Sequence, residues 1–318
     1  MKKKIWLLIA AILVLIGGIL FAGVMTVLKW DFTKLQTTKY ETNCYEITDA
    51  FQNISIITNT SDIRIVPSED TDSQVTCYEQ KNVEHSVAVK DGTLVITVTD
   101  NRKWYEHINI GFSSPKITVS IPKMEYGTLS IESTTGNVSI PKEFHFVSMD
   151  ISETTGSVTS YASATDSVRI KTTTGNICVE NIETKKLDLS ASTGRVTVSG
   201  VTCNGDVSVK VSTGKVNLTD IRCDNIRSEG NTGDITLKNV IAAEEISVER
   251  STGSVTLTAC DGAEIFIETD TGNIVGSLLT EKIFLAQTDT GSVSVPKSTT
   301  GGRCELTTDT GDIRMEIE

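Results

Sequence analysis

From Leu129 to the C-terminus, apolar residues fall on alternate positions in short runs, and successive runs meet at a Thr-Gly dipeptide. The residue two after the glycine is β-branched in every copy (Val138, Val158, Ile177, Val196, Val216, Ile235, Val255, Ile274, Val293, Ile313), and the next alternate position is usually apolar, as in Val198, Leu218, Leu237 and Leu257. Five and seven residues before the glycine stand such pairs as Ile131 and Leu129, Ile170 and Val168, Leu189 and Leu187, Val209 and Val207, and Ile267 and Ile265. A period of two marks strands with one buried face. Each unit therefore reads as two strands facing a common core. A third apolar mark, about seven residues after the glycine (Ile182, Val201, Ile221, Val240, Leu279), predicts a brief third side.

The ten glycines, Gly136, Gly156, Gly175, Gly194, Gly214, Gly233, Gly253, Gly272, Gly291 and Gly311, stand nineteen or twenty residues apart. That spacing is a solenoid period. One such coil cannot bury its own apolar face, so stacking must create the core, and strands about 4.8 Å apart would make a rod roughly 48 Å long. Glycine at the turn allows positive φ without a Cβ clash, and the threonines before it should stack as a ladder along one edge. Ser228, Gly230 and Gly276 replace apolar residues and predict the least well packed coils. The alternating charges of Ile313-Arg314-Met315-Glu316-Ile317-Glu318 predict an exposed final strand.

The N-terminal part follows a different pattern. After Lys2, Lys3 and Lys4 comes an uncharged run from Ile5 to Leu28, long enough at about 1.5 Å per helical residue to cross a bilayer core of roughly 30 Å. A cleaved signal peptide would have a shorter apolar region ending in a small-x-small motif, whereas Phe21-Ala22-Gly23-Val24-Met25 continues into Thr26-Val27-Leu28, so a retained anchor is expected. The lysines should stay in the cytoplasm and place the rest outside. The chain then divides into a cytoplasmic tail (1–4), a transmembrane anchor (5–28), a linker (29–44), a β-rich cap (45–127) and the β-solenoid (128–318). In the cap, Ile54–Ile57, Ile63–Val66, Val75–Tyr78, Leu94–Val98 and Ile117–Ile121 read as strands, and Asn59-Thr60-Ser61-Asp62-Ile63 as a degenerate Thr-Gly coil.

The run Ile54 to Val66, then Asp91-Gly92-Thr93-Leu94, Ile121-Pro122-Lys123 and the repeated Thr-Thr-Gly-Asn-Val, resembles the bacterial β-strand-repeat family known as putative adhesins, a family of unknown function. The resemblance covers roughly Tyr45 to the C-terminus. It implies an all-β solenoid at the cell envelope, single-pass or secreted, in a family some of whose members sit beside envelope-stress regulators. It implies no activity, because the family has no catalytic motif to carry across.

The net charge of -12 argues against a nucleic-acid partner. Aromatic residues are few outside the anchor except at Trp104-Tyr105, which reads either as a ligand patch or as an amphipathic cover for the open end. Seven cysteines without a CxxC pair give no zinc motif or disulfide framework. Cys203 and Cys223, each nine residues after a turn glycine, should be stacked neighbours, as a disulfide or as free thiols. Asp270, Asp289 and Asp309 precede Thr-Gly at the repeat interval. Aspartic proteases use Asp-Thr-Gly as a pair from separate lobes, so the turn reading stands; the three carboxylates are weak candidates for calcium, without the nonapeptide pattern of calcium-binding β-rolls. His85, His107 and His145 are scattered, and no acid–base cluster recurs. The expectation is a non-enzymatic, cofactor-free protein that binds a glycan or protein partner at the envelope, or that regulates a neighbouring membrane protein.

Overall fold

The computed structural model describes residues 2–35, 39–69, 71–103 and 114–318. The helix Lys2–Val27 and a short 3-10 turn, Phe32–Leu35, precede a chain of strands. The strands before and after each Thr-Gly form opposite walls of a β-solenoid, and neighbouring coils pair in parallel. Leu187, Leu189, Val196 and Val198 lie in register with Val207, Val209, Val216 and Leu218, and all eight are buried. Ile182, Val201, Ile221 and Val240 close the predicted third side and are also buried.

Glycine at the turn is required for space as well as for conformation. All ten turn glycines have φ between 125° and 158°. A Cβ on any of them would lie 1.6–2.2 Å from the carbonyl oxygen of the adjacent coil's turn residue. No side chain fits in that gap. The glycine N–H donates to the threonine carbonyl of the adjacent coil, at 3.0 Å from Gly136 to Thr155 and 2.8 Å from Gly214 to Thr232. Thr135, Thr155, Thr174, Thr193 and Thr213 form the expected exposed ladder beside it.

Two further ladders flank the turn. Three residues before the glycine, the inward hydroxyls of Thr172, Thr269, Thr308 and Thr288 donate to the carbonyls of Gly156, Gly253, Gly272 and Gly311 at 2.9–3.2 Å. One residue after the glycine, side-chain oxygens accept the next coil's backbone N–H: Ser157 donates to Asn137, Asn176 to Ser157, and Arg195 to Asn176. Arg195 and Lys215 carry no acceptor and interrupt this series, which resumes where Ser254 donates to Asp234.

At both ends, the order of coils in space departs from their order in sequence. The Gly311 coil lies between the Gly272 and Gly291 coils: Gly302–Thr310 pairs with the Gly272 coil on one side and with Lys282–Thr290 on the other. Ile313 is flanked by Ile274 and Val293, and both Ile313 and Met315 are buried. The final strand is therefore not exposed as its charges predicted. Alternating charge marks the solvated face of any half-buried strand and does not distinguish an edge from an interior position. The actual edge is Lys282–Thr290, whose exposed Ile283 and Leu285 stand where the neighbouring strand carries Arg303 and Glu305.

The N-terminal end shows the same displacement. Strands Asn53–Thr60 and Asp62–Pro67, with Ser61 in place of glycine, stack directly on the Gly136 coil as its sequence pattern predicted. Thr93–Asp100 and Lys116–Ile121 lie outside them. Antiparallel strands Tyr40–Ile47, Ser73–Gln80 and Val83–Lys90 complete this end. The Asp91-Gly92 hairpin has φ of 48° and 70°, the pattern of a type I′ turn.

The predicted weak coils have specific explanations. At Gly230 the guanidinium of buried Arg250 occupies the vacant side-chain space, and its Nη1 donates to the Val211 carbonyl at 2.6 Å. Ser228 is buried with no partner for its hydroxyl. A Cβ at Gly276 would meet the Leu257 carbonyl at 2.1 Å, so this glycine marks a close backbone approach. A register shift between Leu257 and Cys260 brings Leu278 into the core and leaves Leu279 exposed, contrary to the predicted third mark.

Gly214→Ala, with a φ of 148° and the Gly194 carbonyl 1.7 Å from the new Cβ, should lose about 3 kcal/mol in chemical denaturation. Gly92→Asn, at a φ of 70° with open space around it, should lose less than about 1 kcal/mol. Equal losses would contradict the steric role of the turn glycines.

Candidate functional site

The densest group of chemically versatile side chains lies at the N-terminal end, between the walls. Cys77 and Glu79 are two residues apart on Ser73–Gln80 and both point inward. After Lys81-Asn82 the chain crosses to the opposite wall, where His85 on Val83–Lys90 also turns inward. One oxygen of Glu79 accepts from the His85 backbone N–H at 2.8 Å and lies 2.5 Å from the ring Nδ1. The other accepts from Asn43 Nδ2 at 2.6 Å. His85 Nε2 lies 3.0 Å from the Thr58 hydroxyl, and the His85 carbonyl accepts from Tyr45 at 2.8 Å. Burial, and next the charge of Glu79, push the Cys77 thiol up to about 12. The Sγ, carboxylate and imidazole ligand atoms lie within 4.8 Å of one another, the only such metal-competent group among the described residues.

The residues singled out from sequence lie elsewhere. Asp270, Asp309 and Asp289 occupy consecutive coils, exposed on the outer edge. Cys203 and Cys223 are buried free thiols in adjacent coils, and Cys203 Sγ donates to the Lys185 and Asp206 carbonyls at 3.3 and 3.4 Å. Burial pushes their thiols up to about 11 and about 12. Trp104, Tyr105 and His107 fall outside the described residues. His145 is exposed, 3.7 Å from Glu125, and is not brought near His85. A Cys-x-Glu on an alternating strand, followed by a histidine across a two-residue turn, was the available signal for the buried cluster. Reading histidines singly missed it.

A second buried polar feature lies inside the turn. Glu153 occupies the inward position that threonine holds in other coils, and neither carboxylate oxygen has a hydrogen-bond partner. Burial pushes its pKa up from the usual 4.5 to about 7.

The Toastrack DUF4097 family matches residues 51–208 and 202–318, which together run from the first coil to the C-terminus. The chain belongs to that family. No curated protein gives a significant match. Among solved structures, this Toastrack chain is similar to a putative adhesin from Parabacteroides merdae ATCC 43184, at 12% identity, covering 88% of this chain and 98% of that one, with a TM-score of 0.49. A putative lipid binding protein from Parabacteroides distasonis ATCC 8503 is 15% identical over 88% of this chain and 98% of its own, with a TM-score of 0.48. A putative adhesin from Bacteroides fragilis NCTC 9343 is 19% identical over 87% and 97%, with a TM-score of 0.44.

Glu153 gives this Toastrack solenoid a defined pH response. A carboxyl whose folded pKa is raised binds its proton more tightly in the folded state, so stability falls as pH rises from 4.5 to about 7 and stays lower above. The full effect is on the order of 3 kcal/mol. Glu153→Gln should melt close to the parent near pH 4.5 and above it at about pH 8. A constant difference across that range would contradict an uncompensated carboxyl.

Proposed function

We propose that this protein is a membrane-anchored, extracytoplasmic β-solenoid with a non-catalytic binding or scaffolding role at the cell envelope. The observation that carries the reading is the N-terminal helix. An 18-residue stretch within Lys4–Val27 has a mean hydropathy of 2.9 and none of it is buried; near the end of the helix only Met25 is. Lipid is the solvent that would cover it, and the lysines before it favour an N-terminus inside.

The non-catalytic part rests on where the reactive groups lie. Cys77, Glu79 and His85 are sealed between the walls, out of reach of a polymeric substrate. The outer faces carry charge pairs between neighbouring coils, such as Arg169 with Asp150 and Asp188 and Lys215 with Asp234. Exposed, charge-laddered walls suit the display of a long surface to a glycan or envelope protein. Protease added to intact cells or protoplasts should remove the rod and spare an epitope placed before Lys2. Complete protection of the rod would overturn the topology.

A further inference from the structure

We propose that Cys77, Glu79 and His85 hold one zinc ion, which fastens the two walls of the solenoid together at its N-terminal end. The donor set is one thiolate, one carboxylate and one imidazole, all ligand types that zinc takes in three-residue sites, with water in the fourth position. Cys77 and Glu79 share the inward face of one strand, and His85 approaches from the opposite wall. The three ligand atoms already lie within 4.8 Å of one another. A tetrahedral ion with bonds of about 2.0–2.3 Å needs ligand atoms roughly 3.3–3.7 Å apart. Glu79 and the ring Nδ1, now at 2.5 Å, would have to separate by about 1 Å, within reach of side-chain rotation.

The surrounding contacts suit this assignment. Ligating histidines are oriented by a hydrogen bond to their second nitrogen, and here Nδ1 faces the cluster while Nε2 meets the Thr58 hydroxyl at 3.0 Å. Asn43 holds the second oxygen of Glu79, and Tyr45 holds the carbonyl of His85. Each of these partners contacts an atom that would not bind the ion, and the Glu79 oxygen that would bind it also accepts the His85 backbone N–H at 2.8 Å, a bond its second lone pair can keep. Charge balances as well. Zinc displaces the Cys77 proton to solvent, the proton held between Glu79 and Nδ1 moves to Nε2, which donates it to the Thr58 hydroxyl, and the thiolate and carboxylate then neutralise the divalent ion in a site where an unbalanced charge would be costly. The inference is independent of membrane topology.

The test uses the full-length chain in detergent, stripped of metal and titrated with cobalt(II) alone and then with zinc. The expected result is one cobalt per chain, with a thiolate-to-cobalt charge-transfer band in the near ultraviolet that zinc abolishes, and a higher melting temperature with zinc. Cys77→Ser should keep the metal-free fold and lose the band, while His85→Gln should weaken cobalt binding at least about tenfold. Absence of the band in the parent, or an identical band in Cys77→Ser, would overturn the proposal. If Cys77→Ser does not fold, unchanged cobalt affinity in His85→Gln overturns it equally.

Discussion

The solenoid depends on the contact between stacked turns, where each glycine lies against the carbonyl oxygen of the turn before it. With less than 2.3 Å available to a Cβ at every one of these positions, the chain must place glycine there once per coil. Positive φ alone would tolerate an occasional asparagine, but close approach does not. The glycine N–H to threonine carbonyl bond, the inward threonine hydroxyls and the side-chain acceptors after the glycine all depend on that approach. The walls need only alternation and are correspondingly free in their choice of Val, Ile or Leu.

A repeat that propagates so regularly must also stop, because an open coil exposes a row of unpaired backbone groups. In this chain the first and last coils in sequence are each covered by a unit that lies nearer the middle of the sequence. The strands Asn53–Thr60 and Gly302–Thr310 are thus flanked on two sides, which holds the end coils against fraying. The antiparallel strands around Cys77, Glu79 and His85 close one end with polar groups tied across the core. At the other end the covering strand, Lys282–Thr290, is apolar on both faces at Ile283 to Ala286 and has its outer edge unpaired among the described residues.

The coils, their inward residues and the turn ladder were legible in the sequence because each is written ten times at a fixed interval. Coil order at the ends was not, since the Gly272, Gly291 and Gly311 coils share one pattern that does not specify which stacks on which. Period-two reading located Ile313 on an inward face but could not say that two neighbours flank it. The inward position three before the glycine was read only at Gly230: it holds Thr172, Thr269, Thr288 and Thr308 but also Glu153, Ala191, Val211 and Arg250, so no single residue type marks it. The buried Cys-Glu-His cluster occurs once, and only the crossing from one wall to the other brings its members together.

Removal of one whole coil, Val196 to Lys215, tests the central claim most directly. It joins Arg195 to Val216 at equivalent positions, so every inward residue and every turn glycine keeps a partner in register. That variant should melt within about 5 °C of the parent. Deletion of Thr197 alone turns the following alternation outward and removes burial worth roughly 1.5–3 kcal/mol for each of several residues, so it should melt far lower. Equal melting of the two variants, or lower melting of the whole-coil deletion, would contradict a solenoid built from interchangeable coils locked at their glycines.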